Sequence, residues 1–110
     1  MQLMTKEIRE KLPPLYAQDR LGGKAVVHAK WFTPDSGWTW LATEGSAEGD
    51  DFIFFGLVIG LEKELGYFSL SELQKARGPL GLPIERDLYW TPKTLDEIAP
   101  ELFREIEQRS

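Results

Sequence analysis

Several residue types and patterns that mark whole classes of protein are absent from this 110-residue chain. It has no cysteine, which excludes disulfide scaffolds and thiol chemistry and fits a reducing cytosol. Its one histidine, His28, stands in no HxH or HExxH spacing, so the usual zinc sites have no ligands here. GxxxxGK(S/T), GxGxxG and GxSxG are missing too. An enzymatic role therefore lacks any specific residue pattern. We expect a non-enzymatic protein with no metal or cofactor.

Long apolar runs are also missing. The most apolar stretch, residues 52–61, is about half as long as the roughly 20 residues that a membrane span needs. The first residues show no basic region followed by an apolar block, so no signal peptide is expected. A chain of 110 residues with 42% hydrophobic residues has the size and composition of one domain with one hydrophobic core. We therefore predict a cytoplasmic protein without membrane contact, with residues 1–110 forming a single domain.

Positive charge is scarce in the middle of the chain. Residues 34–73 carry one Lys or Arg against eight Asp or Glu, whereas residues 1–33 carry six against three. Nucleic-acid affinity comes largely from neutralising phosphates with Lys and Arg. An acidic middle segment is thus a poor surface for a nucleic-acid backbone, although the N-terminal third could supply a small basic patch.

The apolar stretch has the aromatic and β-branched composition of a core strand, with apolar side chains on both faces. Shorter strands are predicted around it, together with helices after Thr5, Ser71 and Thr94. The predicted strands cover residues 24–32, 38–43, 52–61 and 67–69, with an edge strand within 84–90 and a flexible polar loop at 44–51. The fold class is α+β: a four- to five-stranded antiparallel meander with N-terminal, middle and C-terminal helices packed on one face.

Two places gather unusual residues and form the candidate interaction surface. Trp38 and Trp40 could pack in the core, or they could form an exposed aromatic platform that anchors a protein or stacks on bases. In the loop at residues 77–87, Arg86 lies between Glu85 and Asp87, where an ion pair could pin the loop. Arg77, beside a glycine at a helix end, is the arginine that we expect to be exposed.

Four blocks of sequence carry a family resemblance: LMTKEIREKLP at residues 3–13, FTPDSGWTW at 32–40, FFGLVIGLEKELGYFSLSEL at 54–73 and RGPLGLPIERD at 77–87. Together they resemble the domain-of-unknown-function 2958 family, over about residues 3–95. That resemblance implies small proteins carried by bacteria, plasmids and phages. It brings no catalytic residues to this chain.

The favoured function is therefore that of an accessory protein of a mobile genetic element, a plasmid or phage. Such a protein would act by binding a protein partner, with modulation of host defence as one role open to it. The alternative is a nucleic-acid-binding accessory protein, and a small hydrolase ranks third. A homodimer could form through an exposed sheet face or edge.

Overall fold

The computed structural model describes residues 1–103. The elements are short, and most of them are strands. In chain order they are helix α1 (Lys6–Lys11), 3₁₀ turns at Asp19–Lys24, strands β1 (Val26–Val27), β2 (Ala29–Phe32), β3 (Thr39–Glu48), β4 (Asp51–Ile59) and β5 (Lys63–Ser69), helix α2 (Leu70–Lys75), strands β6 (Glu85–Arg86) and β7 (Lys93–Thr94), helix α3 (Leu95–Ile98) and a 3₁₀ turn at Pro100–Leu102.

Five strands form one open antiparallel sheet in the order β5-β4-β3-β2-β6. Strands β2 to β5 are consecutive and pair as a meander, and β6 returns to the free side of β2. The α+β class and the five antiparallel strands are confirmed, and the predicted edge strand is β6. A separate two-stranded ribbon pairs β1 with β7.

One face of the sheet, which we call the α1 face, is covered by α1 and α2. Trp31 is its centre: the side chain is fully buried, its ring centroid lies 4.8 Å from that of Phe54, and its indole N–H donates to the Leu3 carbonyl at 2.8 Å. Ile8 from α1 and Leu73 from α2 belong to the same buried cluster. This face therefore ties the N-terminal segment and both helices to the sheet.

The opposite face, the α3 face, is covered by α3 and the β1–β7 ribbon. Leu41 and Leu57 point into it, and they form one cluster with Leu95, Ala99 and Phe103. Successive side chains of a strand point to opposite faces. Both faces of β3 and β4 are apolar, so each needs a cover. The predicted placement of all helices on one face therefore holds for α1 and α2, whereas α3 lies on the other.

The predicted first strand breaks at His28. Val27 and Trp31 are both fully buried, as the alternation predicts, but Val27 belongs to the α3-face cluster and Trp31 to the α1-face cluster. The chain ends its pairing with β7 before this point and joins β3 after it, beginning with the His28 N–H donating to the Ala42 carbonyl at 2.9 Å. His28 is thus a half-buried junction residue.

The predicted flexible loop at residues 44–51 is wrong. Strand β3 continues to Glu48 through a register shift between Ala42 and Glu44, and only residues 49–50 separate it from β4. Glu44 is buried, and its carboxylate accepts the backbone N–H groups of Tyr16 (2.9 Å) and Gln18 (2.6 Å). Two backbone N–H groups from the segment after α1 thus provide hydrogen bonds for the buried Glu44 carboxylate. The polar composition of residues 44–51 predicts a loop instead of a strand. Within residues 1–103, no helix is both long enough and apolar enough to cross a membrane.

Candidate functional site

The five candidate residues fall into two separate places. Trp38, Trp40 and Arg77 line one groove, beside the loop that follows α2. Arg86 and Asp87 line a different cleft, between α1 and the sheet edge at β6. The structure therefore divides the predicted surface into an aromatic part, formed by Trp38, Trp40 and Arg77, and a charged part, formed by Arg86 and Asp87.

The aromatic part begins where β3 begins. Trp38 and Trp40 project to the same side, and their rings stack with centroids 6.1 Å apart and planes inclined by 27°. Trp40 is half-buried against the α1-face core, whereas Trp38 is 42% exposed. Offset stacking of this kind contributes about 0.5–1.5 kcal/mol beyond the area buried. The partly buried Trp40 ring thus supports the exposed Trp38 ring from below.

Two backbone contacts fix the position of Trp38. Its N–H donates to the Thr33 hydroxyl at 3.1 Å, and its carbonyl accepts the Thr33 N–H at 3.0 Å, closing the turn between β2 and β3. On its other side the ring lies against Gly60, in the turn between β4 and β5. A Cβ at Gly60 would fall 2.4 Å from the indole ring, so glycine is what permits this approach. The exposed ring is held by contacts on several sides.

The far wall of the groove is the loop after α2. Asp35 anchors it: one carboxylate oxygen accepts the Leu80 N–H at 2.8 Å, and the other lies where a Cβ on Gly78 would be, at 1.6 Å. Arg77 is exposed, and its Nη1 donates to the carbonyls of Gln74 (2.9 Å) and Ala76 (2.7 Å) at the end of α2. The groove between this wall and the tryptophans encloses about 340 Å³.

The charged part does not contain the ion pair predicted within the Glu85–Asp87 triplet. Arg86 Nε donates to the Gln2 carbonyl at 3.1 Å, and Asp87 lies 3.8 Å from the Lys30 ammonium instead. Adjacent residues of an extended chain point to opposite sides, so Arg86 turns away from both of its acidic neighbours. Arg86 therefore ties β6 to the N-terminal segment, and Asp87 ties the end of β6 to β2.

An aromatic pair on the α3 face lies outside the residues that the sequence predicted for a site. Tyr16 has a φ of +76°, rare for a bulky residue, and its exposed side chain meets that of Tyr67 from β5. The hydrogen bond with Tyr16 raises the pKa of Tyr67, with desolvation adding to the rise. The buried Glu44 holds this backbone by accepting the Tyr16 N–H. No spacing in the sequence links residues so far apart, so no signal could have identified the pair.

Within the described residues, no group of three or more His, Cys, Asp or Glu is placed to hold a metal ion. The aromatic groove contains no histidine and no pair of carboxylates, and its polar lining is the hydroxyls of Thr33 and Ser36 together with Arg77. Such a lining can make apolar and hydrogen-bonding contacts. It offers no acid and base pair for proton transfer.

Fold and site together define a small α+β protein with an open antiparallel sheet and an exposed aromatic groove. The family model described as "Protein of unknown function (DUF2958)" matches residues 3–99, and the chain belongs to that family. Searches of the curated proteins and of the solved structures each found no match. The resemblance that the four sequence blocks indicated is thus confirmed over most of the chain.

Proposed function

We propose that this chain is a non-enzymatic interaction protein that binds an extended segment of a partner protein across Trp38. The observation that carries the proposal is the exposure of Trp38, whose backbone is held by Thr33 and whose ring lies against Trp40 and Gly60. Tryptophan is among the residues that most often dominate protein interfaces. A ring that is already ordered loses little further entropy when a partner covers it.

Charges on the two sides of Trp38 indicate what the partner segment carries. On one side, the groove ends at Arg77, whose remaining guanidinium N–H groups have no hydrogen-bond partner among residues 1–103. On the other side, a depression of about 300 Å³ is lined by Leu61, Glu62 and Glu64. An apolar residue over Trp38, with a carboxylate toward Arg77 and a cation toward the two glutamates, complements this surface.

The same charges argue against the alternative of nucleic-acid binding at this groove. Stacking platforms for single strands are combined with a positively charged channel that follows the phosphates. Here Trp38 has one arginine on one side and two glutamates on the other. Successive phosphates along a strand would meet these carboxylates, whereas a peptide of mixed charge would not.

A wider context for this activity is part of the proposal and rests on the sequence resemblance alone. The resemblance implies plasmid- and phage-borne relatives, and small proteins of such elements often act by binding proteins of the host. We propose that the partner is a cytoplasmic host protein and that binding modulates host defence. The absence of cysteine fits that compartment.

The experiment compares capture of host proteins by the wild type and by two variants, Trp38→Ala and Arg77→Ala. A partner bound through the groove should be lost with Trp38→Ala and reduced with Arg77→Ala. Tyr89→Ala is the matched control, because Tyr89 is another large aromatic residue, 90% exposed and outside the groove. Its capture pattern should equal that of the wild type.

Two results would contradict the proposal. Equal capture by the wild type and Trp38→Ala, with both proteins folded, would remove the groove from the interaction. Binding that goes mainly to nucleic acid, and that falls steeply as salt is raised, would favour the alternative, since phosphate contacts weaken strongly with ionic strength.

A further inference from the structure

A second, more enclosed cleft lies away from the aromatic groove, between α1 and the β2–β6 edge of the sheet; we call it the His28 cleft. Its polar lining includes Thr5, Lys11, His28, Lys30 and Arg86. The cleft encloses about 120 Å³. A water molecule takes up about 30 Å³ in the liquid. The space therefore suits a small tetrahedral oxyanion better than a drug-sized molecule.

Two cations from two elements lie on the α1-face side of this cleft, in a protein whose net charge is −5. Lys11 comes from α1, and Arg86 comes from β6, where it pairs with Trp31. Lys30 of β2 alternates to the other face, with its ammonium 3.8 Å from Asp87 and 5.7 Å from the centre of the Trp90 ring. Arg86 uses Nε for the Gln2 carbonyl, and its two terminal nitrogens have no hydrogen-bond partner among residues 1–103, although its charge acts on Glu7. A fixed guanidinium fork with free donors is suited to bidentate binding of an oxyanion.

Two carboxylates also line the cleft, and each is paired with a lysine. Glu7 lies 2.9 Å from Lys11, but both side chains are more than half exposed. Asp87 lies 3.8 Å from Lys30. An exposed pair such as Glu7–Lys11 contributes little to stability, so Lys11 can turn to a stronger anion at small cost. Glu7 and Asp87 position the cations and oppose an anion at the same time.

One side of the cleft is lined by His28, whose imidazole ring can gain or lose a proton. The residue is half-buried, and its ring has no hydrogen-bond partner among residues 1–103. Burial, and then the charge of Lys11, lowers the pKa of His28. The charged groups around it are Lys11 and Glu7 from α1, Lys30 from β2, and Arg86 and Asp87 at β6. An anion bound among them would favour the imidazolium form and raise that pKa.

We propose that the His28 cleft binds a phosphoryl group, as a phosphate monoester or free phosphate, through Lys11, Arg86 and the His28 ring. The phosphoryl group offers two negative charges and three acceptor oxygens, which match several donors converging on one small volume. This site is separate from the aromatic groove. The test of phosphoryl binding therefore does not depend on whether a partner binds across Trp38.

The test is an NMR titration with inorganic phosphate at constant ionic strength, with chloride as the reference anion. His28 is the only histidine, so its imidazole C–H signals form a unique probe. We expect saturable shifts and a His28 pKa that rises on binding. Sulfate is a second probe, because it keeps its two negative charges at every pH used, whereas phosphate monoesters gain a proton near about pH 6. If sulfate binds more tightly at lower pH, the pH dependence of binding comes from protonation of His28. If sulfate binding does not tighten at lower pH, or if the His28 pKa does not change on binding, the proposal is overturned.

Three variants locate the site. Lys11→Gln should weaken phosphate binding about tenfold, because one charge-assisted contact is lost. Glu7→Gln should strengthen it, because an opposing carboxylate is removed. Lys6→Gln is the matched control, since Lys6 lies on the same helix, is 90% exposed and is not part of the cleft. Equal affinities for all of these proteins would overturn the proposal.

Two further ligands separate the sources of the phosphoryl group. A nucleoside monophosphate tests a small molecule, and an oligonucleotide with and without a 5′-phosphate tests the end of a strand. Binding that requires the terminal phosphate supports the site in either case. Equal binding of both oligonucleotides would mean that the strand backbone, not a terminal phosphoryl group, is recognised, and would contradict the proposal.

Discussion

Replacing Glu44 with glutamine should destabilise the fold more than a change of one atom suggests. The carboxylate is 3% exposed and accepts two backbone N–H groups, at 2.9 Å from Tyr16 and 2.6 Å from Gln18. An amide can accept only one of these and sets its own NH₂ group against the other donor. Hydrogen bonds to charged groups contribute about 1.5–3 kcal/mol each. Since the variant no longer buries a charge, we expect a net loss of about 2 kcal/mol.

Chemical denaturation measures this loss, and amide hydrogen exchange locates it. The Tyr16 and Gln18 amides should exchange faster in Glu44→Gln, because the segment after α1 loses its anchor to β3. Glu48→Gln is the control: Glu48 is an exposed residue of the same strand, and its replacement should change stability by less than about 0.5 kcal/mol. A loss below that value for Glu44→Gln as well would refute the anchoring role.

Three shorter predictions concern the core, the groove and an ion pair. Leu57→Ala should cost about 2–5 kcal/mol in chemical denaturation, since Leu57 is fully buried; a loss under about 1 kcal/mol would contradict its place in the core. Gly60→Ala should displace the Trp38 ring and change tryptophan fluorescence with little change in melting temperature; an unchanged spectrum would contradict the contact. Hydrogen bonds from Lys24, then Thr94, lower the pKa of Asp96, so its stabilisation is present above the unfolded pKa of about 3.9 and is lost as pH falls through the lower folded value. Asp96→Asn should therefore flatten the melting temperature against pH below about pH 4, and an unaltered profile would exclude the carboxylate.

Much of the sheet could be predicted because each strand carries its own signal. The alternation from Ala25 to Trp31 identified buried residues correctly, and the apolar run at residues 52–61 identified the interior strand β4. Alternation cannot show the change of face at His28. The odd-numbered residues are buried on both sides of His28, but Val27 packs in the α3-face cluster and Trp31 in the α1-face cluster. Local pattern predicts which residues are buried, not which layer covers them.

The errors arise where distant residues supply what a local segment lacks. Residues 44–48 look like a loop because they are small or polar, yet backbone donors at Tyr16 and Gln18 satisfy Glu44 within β3. Arg86 was expected to pair with its sequence neighbours, but it reaches the Gln2 carbonyl, 84 residues away along the chain. Of the candidate surface, the closeness of Trp38 and Trp40 follows from their spacing of two. Their proximity to Arg77 depends on tertiary packing that no spacing reveals.

The most direct test of the central claim is to map the bound partner segment on this protein by backbone amide chemical shifts. Binding across Trp38 predicts that the shifted amides cluster at residues 33–40, 60–64 and 76–79. It also predicts that Trp38→Ala weakens the affinity by at least about 2 kcal/mol, roughly thirtyfold. Shifts centred on Tyr16 and Tyr67, with the affinity of Trp38→Ala unchanged, would contradict binding across Trp38.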